Sequence, residues 1–190
     1  MQTLRRKTSS QFHGRGRPIL FSEEDRLGGD MELAQAIAGN AVVIAQVGTT
    51  QANKNAALNQ LDHIVKFETM NAFDVLKTWG KEGRKYDVVM LDPPAFTKSR
   101  NSIDKAITGY KEINLRGMKM INSGGFLVTS SCTNLVSPEL FLDTIDMAAR
   151  DAKKRIRQVT YQSQSSDHPI IWGMENTHYL KFLIVEVCDR

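Results

Sequence analysis

The sequence predicts an α/β fold built on one mostly parallel sheet with a reversed strand near its C-terminal end, and three observations carry that prediction. From Ala41 onward, short apolar or β-branched runs alternate with segments of helical spacing, as strands joined by crossover helices do. The run Val88 to Leu91 is continuously apolar, as in a central strand covered on both faces, and it breaks abruptly into Asp92-Pro93-Pro94. Two strand-like runs, Arg155 to Gln162 and Tyr179 to Val187, are joined by a polar loop with no helix, which implies an antiparallel pair.

In chain order, residues 1–30 are polar, basic and glycine-punctuated, and are expected to be loose. Met31 to Ala38 reads as a short helix stopped by Gly39. A strand is expected over Ala41 to Val47 and a helix over Gln51 to Leu58. Ile64 to Glu68 is the next strand, and Asn71 caps a helix running to Trp79. After a polar loop, Gly80 to Lys85, comes the strand Tyr86 to Leu91. Ser102 or Asp104 caps a helix over Ile103 to Ile121, with Ile107, Tyr110, Ile113, Leu115, Met118 and Ile121 as an imperfect apolar stripe. Ser123-Gly124-Gly125 ends it, and Phe126 to Ser130 is another buried strand. Ser137, Pro138 and Glu139 form a well-made helix start, with Phe141, Ile145 and Ala148 or Ala149 facing inward.

The chain has 190 residues, enough for one domain with a substantial core and short for two. Its hydrophobic fraction of 41% and charged fraction of 24% exclude a membrane or disordered class. No apolar run approaches a membrane span. Cys132 and Cys188 form neither a metal spacing nor a disulfide framework, so no metal is expected and reduced, cytoplasmic thiols are. The net charge of +4 does not by itself indicate nucleic acid: Arg5, Arg6, Lys7, Arg15 and Arg17 supply it, and the rest is close to neutral.

Asp92 falls at a strand's C-terminal end, where open α/β sheets place their ligands. Pro93 cannot donate to a ladder and Pro94 holds it extended, so the chain leaves the sheet stiffly towards Phe96. Such an end suits a flat ligand, or is simply a proline turn. Cys132, just beyond the strand Phe126 to Ser130, is either a small buried hydrophobe or a nucleophile at the same sheet edge. Tyr110 and Asn114 share one helical face.

Asp92-Pro93-Pro94-Ala95-Phe96, the helix segment Gly109-Tyr110-Lys111-Glu112-Ile113-Asn114, and Ser130-Ser131-Cys132-Thr133 together resemble the Rossmann-like class I S-adenosylmethionine-dependent methyltransferases. The group most resembled is the bacterial 23S ribosomal RNA cytosine-C5 methyltransferases that carry a PUA domain. Asp167-His168-Pro169-Ile170 and Thr177-His178-Tyr179-Leu180-Lys181 resemble that group's C-terminal signature. The resemblance implies a sheet ordered 3-2-1-4-5-7-6, S-adenosyl-L-methionine as cofactor and RNA, specifically 23S rRNA, as partner. It implies Cys132 as the nucleophile that adds to cytosine C6 and Asp92 as the residue bonding the base's polar edge. It places the cofactor against Asn71, Ala72, Phe73, Asp92 and Pro93, and the target base and RNA against Phe96, Lys98 and His168. Asn71 reads equally well as a helix cap, and His168 as a structural loop residue.

The resemblance runs from about Gln51 to Val187 and fails upstream. The family's first strand enters an Asp-Leu-Phe-x-Tyr-x-Gly-Gly-Phe-like loop and its second ends in a ribose-binding acid; neither is recognisable in residues 1–50. Gly28-Gly29-Asp30 lacks a recognisable preceding strand, and the stretch around Val43 holds no carboxylate. The expected organisation is an unmatched, partly disordered segment over 1–50 and a methyltransferase domain, incomplete at its N-terminal side, over 51–190. A truncated or frame-shifted coding sequence is one account of that boundary. Three functions stay open: a cytosine-C5 RNA methyltransferase, inactive if the cofactor loop is missing; a nitrogen-directed guanine or amine methyltransferase; and a non-catalytic remnant or RNA-binding module.

Overall fold

The computed structural model describes the backbone of residues 19–23 and 41–45 and both backbone and side chains of residues 49–190. Its strands are β1 (Ile19–Glu23), β2 (Ala41–Ala45), β3 (Val65–Thr69), β4 (Tyr86–Asp92), β5 (Ile121–Ser131), β6 (Lys154–Gln162) and β7 (Lys181–Asp189). Its helices are α1 (Thr49–Leu58), α2 (Ala72–Lys81), α3 (Ile103–Lys119) and α4 (Pro138–Asp151). The seven strands form one sheet in the order β3-β2-β1-β4-β5-β7-β6. β1 to β5 run parallel where they pair, whereas β7 lies antiparallel to both β5 and β6.

The expected architecture and strand order are therefore present, with a correction at the N-terminal side. Ile19–Glu23, inside the stretch expected to be loose, is a strand paired with β2 and β4, so residues 19–45 supply two strands of the same sheet. The sheet is not truncated there. β1 also provides a strand five residues upstream of Gly28-Gly29-Asp30, the feature that seemed missing. The isolated run Ile19 to Phe21 is short and sits beside charged residues, so its periodicity alone was too weak a signal. The glycine pair itself and the helix expected over Met31 to Ala38 lie outside the described residues.

Alternation along the strands sorts side chains onto two faces. Val89 and Leu91 of β4, Leu127 of β5 and Leu183, Val185 and Val187 of β7 join one core with residues of α2, α3 and α4. Val88, Val128 and Ile184 join the other, with Ala52 and Ala56 of α1. β4, β5 and β7 are thus covered on both sides, which is why they read as continuous apolar runs.

Helix starts follow the cap chemistry. Asn71 Oδ1 accepts from the Phe73 N–H at 2.9 Å and the Asp74 N–H at 3.4 Å, and Ser137 Oγ accepts from the Leu140 N–H at 3.2 Å. Ser102 precedes α3 but makes no capping bond; its hydroxyl instead meets Thr97 Oγ1 at 2.6 Å.

The expected boundary at Ser123-Gly124-Gly125 also shifts. α3 stops at Lys119, and β5 begins at Ile121, before the glycines. Tyr86 pairs with Ile121 but Val88 pairs with Phe126, so the extra residues on β5 bulge out, with Gly124 at a φ of 81°. A methyl group on Gly125 would lie 2.6 Å from the Asp87 carbonyl oxygen and 2.9 Å from that of Asn122, both backbone atoms. Gly125→Ala is expected to destabilise the protein by about 1–3 kcal/mol. A lower urea midpoint with an unchanged slope would register that loss.

Candidate active site

Because β7 is reversed, its first residue meets the C-terminal ends of β4 and β5 at one edge of the sheet. Asp92 ends β4, Ser130 and Ser131 end β5, and Lys181 begins β7 opposite Ser131. The functional residues predicted on separate motifs are brought together by this register.

Asp92 is half-buried, and its Oδ1 accepts a short hydrogen bond from Ser130 Oγ. That bond ties the tips of β4 and β5 together and fixes the carboxylate's orientation, while a carboxylate retains further acceptor capacity. Pro93 is buried and Pro94 half-buried. The turn beyond them is fastened by Thr97, whose Oγ1 donates to the Ser99 carbonyl at 2.7 Å. Lys98 projects from this turn, exposed.

Cys132 follows β5 directly and is exposed, so it is not the buried hydrophobe that its residue type allowed. The surrounding protein and the Asp92 carboxylate push its thiol above the ordinary range, opposed by backbone N–H groups of Cys132 and Ala95 and by Lys181. The Ala95 contribution means that the rigid Asp92-Pro93-Pro94 turn and the cysteine face one another.

Phe96 forms one wall. Its ring lies 4.6 Å from that of Tyr110 and 5.9 Å from that of Phe73, centroid to centroid. Gly109 makes room for it: a Cβ at that position would approach the Phe96 ring to 3.2 Å. Tyr110 is completely buried, and its hydroxyl accepts from Ser131 Oγ at 3.1 Å. Burial raises the Tyr110 phenol's pKa, so it acts as a fixed dipole at neutral pH. Asn114, its partner one helical turn on, donates from Nδ2 to the Tyr110 carbonyl at 2.8 Å. The shared face of Tyr110 and Asn114 is therefore a scaffold behind the site.

The turn Asn71-Ala72-Phe73 stands at the end of β3 on the same edge. Asn71 is the cap of α2, as its alternative reading had it, but its second capping bond is long at 3.4 Å and leaves acceptor capacity. The cap does not use the Ala72 N–H. Phe73 is half-buried beside Phe96.

His168 joins a different group. Its Nδ1 lies 3.1 Å from the Tyr179 hydroxyl, on the loop joining β6 to β7. Gln164 braces that loop: its amide donates to the Thr177 carbonyl and accepts from the Tyr179 and Leu180 N–H groups at 3.3 and 3.4 Å.

The sequence reading missed Ser130 as the partner of Asp92 and Lys181 as a buried neighbour of Cys132. For Lys181 a signal existed: a lone cation opening the apolar run Phe182 to Val185. Among the described residues no cluster of metal-ligating side chains is present, and no helix is long and apolar enough to cross a membrane.

No protein-family model matches the chain. It is 35% identical over 164 residues to a ribosomal RNA large subunit methyltransferase I of Shewanella frigidimarina, covering 84% of this chain and 41% of that protein. A protein of the same name from Alteromonas mediterranea is 34% identical over 160 residues, covering 81% of this chain and 40% of that one. The chain thus spans about two-fifths of the length of these curated relatives. A match over 84% of the chain also extends upstream of Gln51, in keeping with β2.

Among solved structures, a candidate methyltransferase complexed with SAH superposes with a TM-score of 0.77 at 17% identity, covering 97% of this chain and 48% of that one. NSun6 from Pyrococcus horikoshii, with SFG, gives a TM-score of 0.66 at 16% identity, covering 94% of this chain and 50% of the other. The fold is that of the class I S-adenosylmethionine-dependent methyltransferases.

Proposed function

We propose that this chain is the catalytic part of an S-adenosylmethionine-dependent RNA methyltransferase acting on cytosine C5 of 23S ribosomal RNA through a cysteine adduct. The observation that carries the reading is the facing pair of Asp92 and exposed Cys132 on the tips of neighbouring parallel strands. Relatives named as large-subunit ribosomal RNA methyltransferases support the substrate class.

The described residues fit part of the cofactor. Ala72 N–H and the remaining capacity of Asn71 Oδ1 would meet the adenine edge, Phe73 would flank its plane, and Asp92 and Pro93 would border the methyl end. β2 ends at Ala45, and the sequence that follows, Gln46-Val47-Gly48, contains no carboxylate for the ribose hydroxyls. The cofactor would supply an electrophilic sulfonium methyl.

This chain's residues would do the rest. Cytosine C5 is a poor nucleophile until a thiolate adds to C6. Cys132 Sγ forms the S–C6 bond, and the electrons of the C5=C6 double bond become available at C5 for the methyl. Asp92, held by Ser130, bonds the base's amine and protonated ring nitrogen, favouring the charge distribution of the adduct. Once C5 is methylated, a base removes the C5 proton; the C5–H electrons restore the double bond and Cys132 leaves as thiolate. Phe96, with Gly109 behind it, offers a ring for the base to stack on, and Lys98 on the neighbouring turn is placed for a phosphate. His168, tied to Tyr179, is assigned to the rim of the base pocket.

Transfer of labelled methyl groups to 23S rRNA lacking large-subunit modifications tests this reading. Nucleoside digestion should recover the label as 5-methylcytidine. Label on a guanine or adenine nitrogen would instead point to direct use of Asp92-Pro93-Pro94, and no transfer with normal RNA binding would indicate a non-catalytic module.

A further inference from the structure

Lys181 is only 1% exposed, and its ammonium contacts no carboxylate among the described residues. Nζ donates to two backbone carbonyls instead, a short bond to Thr133 and one of 3.0 Å to Tyr179. Burying an ammonium costs several kcal/mol unless it is well paired, so leaving it with carbonyls alone is an expensive arrangement for stability. Methionine or leucine would fill the same space at the mouth of β7 more cheaply. The carbonyl it grips belongs to the residue immediately after Cys132, and Lys181 pairs with Ser131, the residue immediately before it.

We propose that Lys181 is the positioning residue of Cys132: it clamps the carbonyl of the residue that follows the cysteine and places an unneutralised positive charge beside the sulfur. The inference rests on the reading of Cys132 as a nucleophile. Five groups act on that sulfur. Asp92 on β4 is repulsive to a thiolate, Lys181 on β7 is attractive, the N–H groups of Ala95 and Cys132 favour the anion, and the buried Tyr110 hydroxyl on α3 lies within electrostatic reach. Without Lys181 only the N–H groups of Cys132 and Ala95 would oppose Asp92 and desolvation, both of which keep the thiol protonated. Burial lowers the Lys181 ammonium to about 8, so the residue is still mainly cationic at neutral pH, and the nearby thiolate supports its charge. The pair therefore titrates as a unit.

The rate of Cys132 carboxamidomethylation by iodoacetamide, followed against pH in a Cys188→Ala background, reads this directly and needs neither RNA nor cofactor. Lys181→Met should move the midpoint up by about one pH unit and slow alkylation at pH 8 by roughly tenfold, whereas Lys181→Arg should recover part of the loss. An unchanged midpoint in folded Lys181→Met would overturn the proposal, because a purely structural lysine would leave the thiol's titration alone. If Lys181→Met does not fold, the reciprocal measurement decides. In ¹⁵N-lysine NMR, the Lys181 Nζ titration of the native protein should lie above that of Cys132→Ser, and coincident curves would rule the coupling out. Absence of methyl transfer would count against the proposed reaction and leave both titrations interpretable.

Discussion

Cys132→Ser is expected to abolish methyl transfer to cytosine, by at least about a thousandfold, while leaving the fold unchanged. A serine hydroxyl stays protonated at neutral pH, and among the described residues no histidine acts on this position as a base. It cannot add to C6, so C5 never becomes nucleophilic. The substitution is nearly isosteric, and the side chain is exposed just beyond β5, so stability should move little. Single-turnover transfer of labelled methyl groups gives the magnitude. RNA carrying 5-fluorocytidine gives the chemistry: fluorine at C5 cannot leave as a proton, so the native protein should be trapped as a covalent complex and Cys132→Ser should not. Cys188, half-buried on β7, serves as the control. Full transfer by Cys132→Ser would redirect the reaction towards a nitrogen acceptor.

Phe141→Ala is expected to cost about 3–5 kcal/mol. That is about a fifth or more of the stability of an ordinary domain. Phe141 is completely buried on α4, and its ring meets Tyr110 edge-on at 5.9 Å and 87°. Tyr110 in turn contacts Phe96, which contacts Phe73, so a row of aromatics runs from the α3–α4 interface to the proposed base-stacking surface. Truncation at its inner end leaves a cavity behind Tyr110 and loosens the Tyr110–Ser131 bond that fixes the end of β5. Urea unfolding should show the lost stability. Weakened transfer by the surviving folded fraction would show that the row also holds the site.

Much of this arrangement was legible in the sequence, for reasons that differ from part to part. β4, β5 and β7 announce themselves because both faces are covered, and α4 because Ser137 and Pro138 leave little else possible. Asp92 and Cys132 could be paired from the sequence, since parallel strands end at the same edge: Asp92 closes β4 and Cys132 follows β5 directly. β1 was missed because a short strand among polar neighbours carries almost no periodic signal; its place is set by pairing with β2 and β4. The β5 bulge was read as the end of the preceding helix because Gly124-Gly125 normally punctuates, whereas here the ladder resumes after it. Ser130 and Lys181 were invisible as partners because each acts across the sheet, on residues far away in the chain.

The position of β7 also bears on how the protein is made. It is the last of the strands in chain order, yet it lies between β5 and β6 rather than at an edge. While the ribosome is still delivering the chain, β5 has only one neighbour and β6 has none, and the cation destined for the neighbourhood of Cys132 has not yet emerged. Closure of the sheet therefore waits on a strand threaded into a gap, a long-range pairing of the kind that folds slowly. In this topology the cysteine acquires its electrostatic surroundings in the same event that completes the sheet, so a nascent or unfinished chain holds an ordinary thiol.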